Sequence, residues 1–236
     1  MPTCTRNHQL RGSLTYHVFN RSAVREPIFH ASEDFKHFIN LLARYKKEFS
    51  TKIYHWVIMP THFHLLIEME EPLSISSLMS GLTHAYTIYH HKRYLTRGFL
   101  WQGRFKLQPV QKEGYLITCG RYIERNPVRS TIVERAEAYL YSSARFYCLG
   151  VQDIITNESP CYANFGPDDR ERPVRYRDFL KSYNSEEDEP FRNLEQPVGE
   201  EDFVNLLRKT GTRHMPQHMG RPRRNTFFGT CLTGRS

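Results

Sequence analysis

The chain of 236 residues carries 33 Lys and Arg against 25 Asp and Glu, a formal charge of +8 at pH 7, and 39% of its residues are hydrophobic. That length and apolar share suffice for one ample domain with an appended segment and exclude a chain too polar to bury a core. The basic balance, with a pI near 9.3, suits a polyanionic partner, nucleic acid first, although basicity alone serves solubility or an anionic membrane surface equally well.

Leu14 to Arg21, LTYHVFNR, alternates and is rich in aromatic and β-branched residues, so it predicts a first strand. After a turn region with Pro27, Phe35, Phe38, Ile39, Leu42, Ala43 and Tyr45 recur at helical steps from Ser32 to Phe49, with Ser32 as N-cap. TKIYHWVIM (51–59) and HFHLLIEME (62–70) are two β-rich runs joined by Pro60 and Thr61, a hairpin in which His55 and Trp56 pack in the sheet. Pro72 and Ser74 announce a second helix with a buried stripe of Leu78, Leu82, Ala85, Tyr86 and Tyr89 and a basic exposed end. Leu100 to Gln111 reads as a strand carrying Arg104 and Lys106, and a third helix starts near Gly114 and runs through YLITCGRYIERN until Pro127 breaks or kinks it. Strands and helices in this order, with a central hairpin, predict an α+β fold: a ferredoxin-like antiparallel sheet with helices on one face.

Past residue 140 the character changes. YSSARFYCLG and ITNESPCYANFG predict loops and turns, and PDDRERPVRYRDFLKSY one short helix. The acidic, proline-containing stretch 184–202 predicts a flexible linker, and 203–236 holds no acidic residue but seven Arg and Lys, among them Arg221 and Arg223. The expected boundaries are therefore 1–140, 141–183, 184–202 and 203–236. Five cysteines with no C-x-x-C pair predict reduced thiols. Without a signal-like N-terminus or an eighteen-residue apolar run, a cytoplasmic protein with no membrane partner is expected.

His62 and His64 are one residue apart in a strand, so both imidazoles share a face. Alone, such a pair reads as two solvent-facing histidines on a half-exposed sheet. Tyr122 and Asn126, four apart on a helix, also share a surface, and alone they read as a core tyrosine and a helix cap. Together they suit attack on a phosphodiester: a divalent cation neutralises charge on the non-bridging oxygens, two imidazoles and an amide oxygen leave open positions on it, and a phenol held in line supplies the nucleophile. Tyr115 lies on nearly the same helical face as Tyr122 but has only Cys119 four residues on, and it reads as packing.

His62-Phe63-His64 after Met59-Pro60, WQGRF at 101–105 and YIERNPVR at 122–129 together resemble the HUH-type single-tyrosine transposases, in the branch associated with repetitive extragenic palindromes (REP). The resemblance continues through Tyr141-Ser142-Ser143 and YRDFL at 176–180 to Gly-Arg-Pro-Arg at 220–223. It implies the HUH endonuclease fold over 1–140, a family-specific extension over 141–183 and a basic DNA-binding tail over 203–236. It also implies a metal-dependent endonuclease and strand transferase acting on single-stranded palindromic hairpins through a 5′-phosphotyrosine intermediate. His62 and His64 match the pair that binds Mg²⁺ or Mn²⁺, Tyr122 the nucleophile, and Asn126 a third, amide ligand. The protein would act as a monomer or homodimer.

Single strands are gripped by a cationic groove and stacking aromatics. Arg104, Lys106, Arg121, Arg125 and Arg129, with Trp101 and Phe105, are the expected contacts, with Trp101 in the core and the charges as a solvated helix face the equal alternative. MGRPRRN (219–225) resembles an AT-hook core, placing Arg221 and Arg223 in a minor groove. Two other readings remain open at this point: a catalytically silent hairpin-DNA-binding regulator, and a hydrolase whose histidines activate water.

Overall fold

The computed structural model describes residues 14–209 apart from positions 72, 73, 113, 183, 193 and 195; Arg221, Arg223 and the rest of the expected basic tail beyond 209 lie outside the described residues. Four strands, β1 (Thr15–Arg21), β2 (Thr51–Ile58), β3 (His62–Met69) and β4 (Lys106–Val110), alternate with α1 (Ser32–Glu48) and α2 (Ile75–Tyr94) in the order βαββαβ. They form one sheet in the order β2-β3-β1-β4, every neighbouring pair antiparallel. This is the expected ferredoxin-like α+β arrangement, with α1 and α2 together on one face.

Strand alternation explains that face. Tyr16 and Val18 of β1 and Phe63, Leu65 and Ile67 of β3 point to it and meet Phe35, Phe38 and Leu42 of α1 and Leu78, Leu82 and Tyr86 of α2. The N-cap of α1 is Ala31, one residue before the expected Ser32. Asp34 does the capping: its Oδ2 accepts from the backbone N–H of His30 at 2.8 Å and of Ala31 at 2.9 Å, and the hydroxyls of Tyr89 and Tyr94 donate to the same carboxylate. One buried acid thus starts α1 and ties α2 to it.

The opposite face is covered by α3 (Tyr115–Glu124), whose Leu116, Cys119 and Ile123 pack on Tyr54, Val57 and Leu66. A register shift between Ile53 and His55 turns β2 so that Tyr54 and His55 both meet this helix. Pro127 ends the helix as expected: Arg125 caps α3, and a separate turn, α4 (Asn126–Arg129), follows with the proline in its first turn.

Several expectations need correction. The strand expected from Leu100 is β4 only from Lys106; before it, Trp101 makes an isolated bridge to Ser22, and Gly98 and Gly103 adopt φ of 94° and 150°, which no ladder accommodates. In YSSARFYCLG, expected as loop, residues Ala144–Leu149 form α5. The expected short helix is α6 (Glu171–Lys181). The largest correction is the acidic stretch 184–202. It is not a flexible linker: it forms α7 (Ser185–Arg192), buries Asp188 and Phe191, and lays Val198 beside Val110 of β4 before α8 (Glu201–Lys209) begins. Composition alone misread it, because its acids find arginine partners and its phenylalanine finds an aromatic one.

Residues 141–209 are not a separable unit. Ile58 N–H donates to Tyr141 O and Ser143 N–H to Trp56 O, so 141–143 run along the free edge of β2, while Val198 covers the edge of β4. Beneath α5 and α6 lies a fully buried polar cluster. Glu124 of α3 pairs with His55 Nδ1 at 2.9 Å, both side chains 0% exposed, and accepts from Ser143 Oγ at 2.6 Å and Tyr176 Oη at 2.8 Å. The helix must pass close to His55 there, which is why residue 120 is glycine: a Cβ would sit 2.7 Å from the imidazole.

Candidate active site

Register brings the site together on the α3 side of the sheet. In β3, His62 and His64 face that side while Phe63 and Leu65 enter the other core. Their rings lie 5.3 Å apart between centroids. Tyr122, near the C-terminal end of α3, stands over them, its ring 5.9 Å from that of His64 and 5.7 Å from that of His17. A cleft of about 400 Å³ opens there, lined by His62, His64, Tyr122, Asn126 and Lys106 among others.

Asn126 owes its orientation to the proline that follows. Pro127 has no N–H to donate to Ile123 O, the carbonyl four residues back. The Asn126 amide nitrogen takes that place, donating to Ile123 O at 3.1 Å and Tyr122 O at 3.3 Å. Its oxygen is thereby left for the cleft, where the side chain hydrogen-bonds His62. His62 Nδ1 also meets Thr61 Oγ1 at 2.8 Å.

Burial governs the titration of these groups. Loss of solvent pulls His17 and His62 from 6.5 down to about 4, with the Arg129 charge adding to it, and holds His64 well below 6.5. All three imidazoles are neutral at pH 7, the form that offers a lone pair. Burial likewise raises Tyr122, which is 7% exposed, while Arg129 draws it back. The Arg129 guanidinium lies 4.0 Å from the centre of the Tyr122 ring and pairs with Asp188 of α7 at 2.7 Å, and Phe191 of the same helix packs at 5.6 Å from the phenol ring.

Two imidazoles from one strand face and a carboxamide oxygen are donors a divalent cation can take, the imidazoles suiting a transition ion and the amide oxygen Mg²⁺ or Mn²⁺, with positions left for phosphate oxygens. Among the described residues no cluster of three or more His, Cys, Asp or Glu is arranged to hold a metal.

The expected DNA contacts divide. Lys106 lines the cleft and Arg129 stands at Tyr122. Arg104 is exposed on the loop before β4. The remaining four do structural work. Trp101 sits under α2, its indole N–H donating to Thr83 O and Thr87 Oγ1 at 3.1 Å, and Phe105 is buried in the α1/α2 core. Arg121 is buried, pairs with Glu187 and covers the Phe179 ring, and Arg125 donates to Leu180 O. They fasten α3 to α6 and α7. The sequence reasoning missed His17, Gln108, Arg21, Arg25 and Arg192. His17 and Gln108 are polar residues at inward-facing strand positions, and only the register, which sets them opposite each other, betrays them. Arg21, Arg25 and Arg192 rim the cleft, and Arg25 holds a left-handed φ of 61° there.

Residues 11–126 match the family described as "Transposase IS200 like". Among solved structures, one titled as a REP-associated tyrosine transposase bound to a REP hairpin matches with a TM-score of 0.53 and 18% identity, over 66% of this chain and 92% of that one. No curated protein matches the chain. The matched span contains the histidine pair, the nucleophile candidate and the asparagine on which the site is built, and over that span the chain matches the IS200-like transposase family.

Proposed function

We propose that the protein is a REP-type transposase that cuts and rejoins single-stranded DNA beside a palindromic hairpin, with Tyr122 as nucleophile. The observation that carries this reading is the meeting of Tyr122, His62, His64 and Asn126 in one cleft of a single chain, rimmed by Arg21, Arg25, Lys106 and Arg192. The arginines and lysine would bind the backbone phosphates and hold the scissile one against the phenol. His62, His64 and Asn126 would hold Mg²⁺ or Mn²⁺, which when bound supplies Lewis-acid stabilisation of the charge developing on the phosphate.

In the step itself the Tyr122 oxygen gives up its proton to solvent and bonds to phosphorus. The bond from phosphorus to the 3′ oxygen breaks, and that oxygen leaves as a 3′ hydroxyl with a proton from solvent. The 5′ phosphate stays on the tyrosine. Arg129, already beside the phenol, favours the deprotonated form. One phosphoester replaces another, so rejoining by the 3′ hydroxyl needs no nucleotide cofactor.

The test is a covalent adduct. Protein incubated with a labelled single-stranded palindromic hairpin and Mg²⁺ or Mn²⁺ should give a denaturation-resistant DNA–protein band, which Tyr122→Phe abolishes while hairpin binding persists. Binding without cleavage in the wild type would make the protein a silent regulator, and cleavage without an adduct would make it a hydrolase.

A further inference from the structure

We propose that His17 and Gln108 form a hydrogen-bond relay that fixes the tautomer of His64 and turns an unprotonated Nε2 toward the cleft. The inference rests on the metal-dependent reading above and adds two positioning residues to it, neither of which touches the ion.

The chain of reasoning begins at Gln108. Its amide nitrogen lies 2.9 Å from Pro190 O and 2.7 Å from Gln196 O. Both are carbonyls, which only accept, so the nitrogen end of the amide is fixed there and the oxygen end faces the other way. That oxygen lies 3.2 Å from His17 Nδ1. An amide oxygen cannot donate, so His17 Nδ1 carries the hydrogen. A neutral imidazole has one N–H, so His17 Nε2 is left with a lone pair. His64 Nδ1 stands 2.8 Å from it, with the two ring planes inclined by only 24°, the disposition of an in-plane hydrogen bond. His64 Nδ1 must then be the donor, and its lone pair falls on Nε2.

The relay crosses three adjacent strands, Gln108 on β4, His17 on β1 and His64 on β3, and all three side chains are buried. His62 differs. Its Nδ1 partner is the Thr61 hydroxyl, which donates or accepts, and its other contact is the Asn126 amide within the cleft itself, so no buried strand-to-strand relay stands behind it. The carbonyls that set the Gln108 amide belong to 190 and 196, in the acidic stretch, so docking of that stretch is what the tautomer of His64 depends on.

The experiment reads the ring nitrogens directly. In metal-free, ¹⁵N-histidine-labelled protein at pH 7.5, two-bond ¹H–¹⁵N correlation should show His64 protonated on Nδ1 and unprotonated on Nε2. His17→Phe removes the acceptor and should shift His64 toward the Nε2–H form; His17→Gln returns a carbonyl acceptor and should restore the wild-type pattern. Mn²⁺ affinity, followed by the electron paramagnetic resonance of free ion, should fall by about 10–100-fold in His17→Phe, the range for loss of an outer hydrogen-bond partner, and by less in His17→Gln. A wild-type His64 protonated on Nε2, or a His17→Phe protein that keeps both the wild-type ring signals and the wild-type affinity, would overturn the relay. An Nδ1–H His64 that shifts in His17→Phe, in a wild-type protein that binds no Mn²⁺, would uphold the relay and sink the metal-dependent reading instead.

Discussion

The side chains that set this site fall into those that sequence periodicity exposes and those that only register exposes. A period of two places His62 and His64 on one face, and a spacing of four sets Tyr122 near Asn126 although α3 ends between them; all four line the cleft. Nearness in sequence was a poorer guide. Arg121 precedes Tyr122 by one residue, but on a helix that is a rotation of about 100°, and it turns into the contact with α6 and α7 instead of the cleft. His17 lies some forty-five positions from His62 and could be placed beside His64 only once the strands were paired. The buried histidines also make stability depend on pH. His17 titrates at about 4 when folded, against 6.5 in the unfolded chain. The unfolded state therefore takes up a proton near pH 6.5 that the folded state refuses until about pH 4, so this contribution is complete above pH 6.5 and is lost as the pH falls through that interval. Between pH 8 and pH 5 the loss for one such histidine is about 2 kcal/mol. Urea unfolding at the two pH values should show His17→Gln with a shallower pH dependence than wild type by about that amount; an unchanged slope would remove His17 as its source.

At the scale of elements, strands and helices with strong periodicity were legible and those built by partners were not. The βαββαβ core could be read because each element carries its own apolar stripe. The first half of the expected fourth strand could not, since Trp101 and Phe105 look like strand residues but serve the core beneath α2. α7 was hidden by composition: its acids look solvated until Arg121 and Arg129 stand opposite them. The packing of α3 on β2 shows the same dependence on a partner. Gly120 is read from sequence as a weak point in a helix, yet it is where the helix must clear the ring of His55. Gly120→Ala should therefore destabilise by about 1–3 kcal/mol through overpacking, despite alanine's better helix propensity. The check is the midpoint of thermal or urea unfolding, and a variant as stable as wild type would mean that His55 and α3 can move apart without loss.

For the whole molecule, the described residues on the two sides of position 140 share hydrogen bonds and core, and that boundary is the clearest test. Glu124 is buried beside His55, and two of the three groups that satisfy it, Ser143 Oγ and Tyr176 Oη, lie beyond that boundary. Removing them strips Glu124 of both hydrogen bonds, about 1 kcal/mol each and more for a charged group, and uncovers Ile117, Val128 and Ala136, which pack under α5 and α6. The same cut bares the β2 edge that 141–143 cover and the Tyr122 ring that Phe191 covers. Against a total stability of about 5–15 kcal/mol for a domain, these losses are decisive. A chain ending at residue 140 should show no cooperative unfolding transition, whereas one ending at 209 keeps every contact named here and should melt like the full chain. Circular dichroism on the two fragments separates the cases: a cooperative transition in 1–140 within a few degrees of the full chain would mean that the nuclease fold stands alone and the extension is merely docked on it.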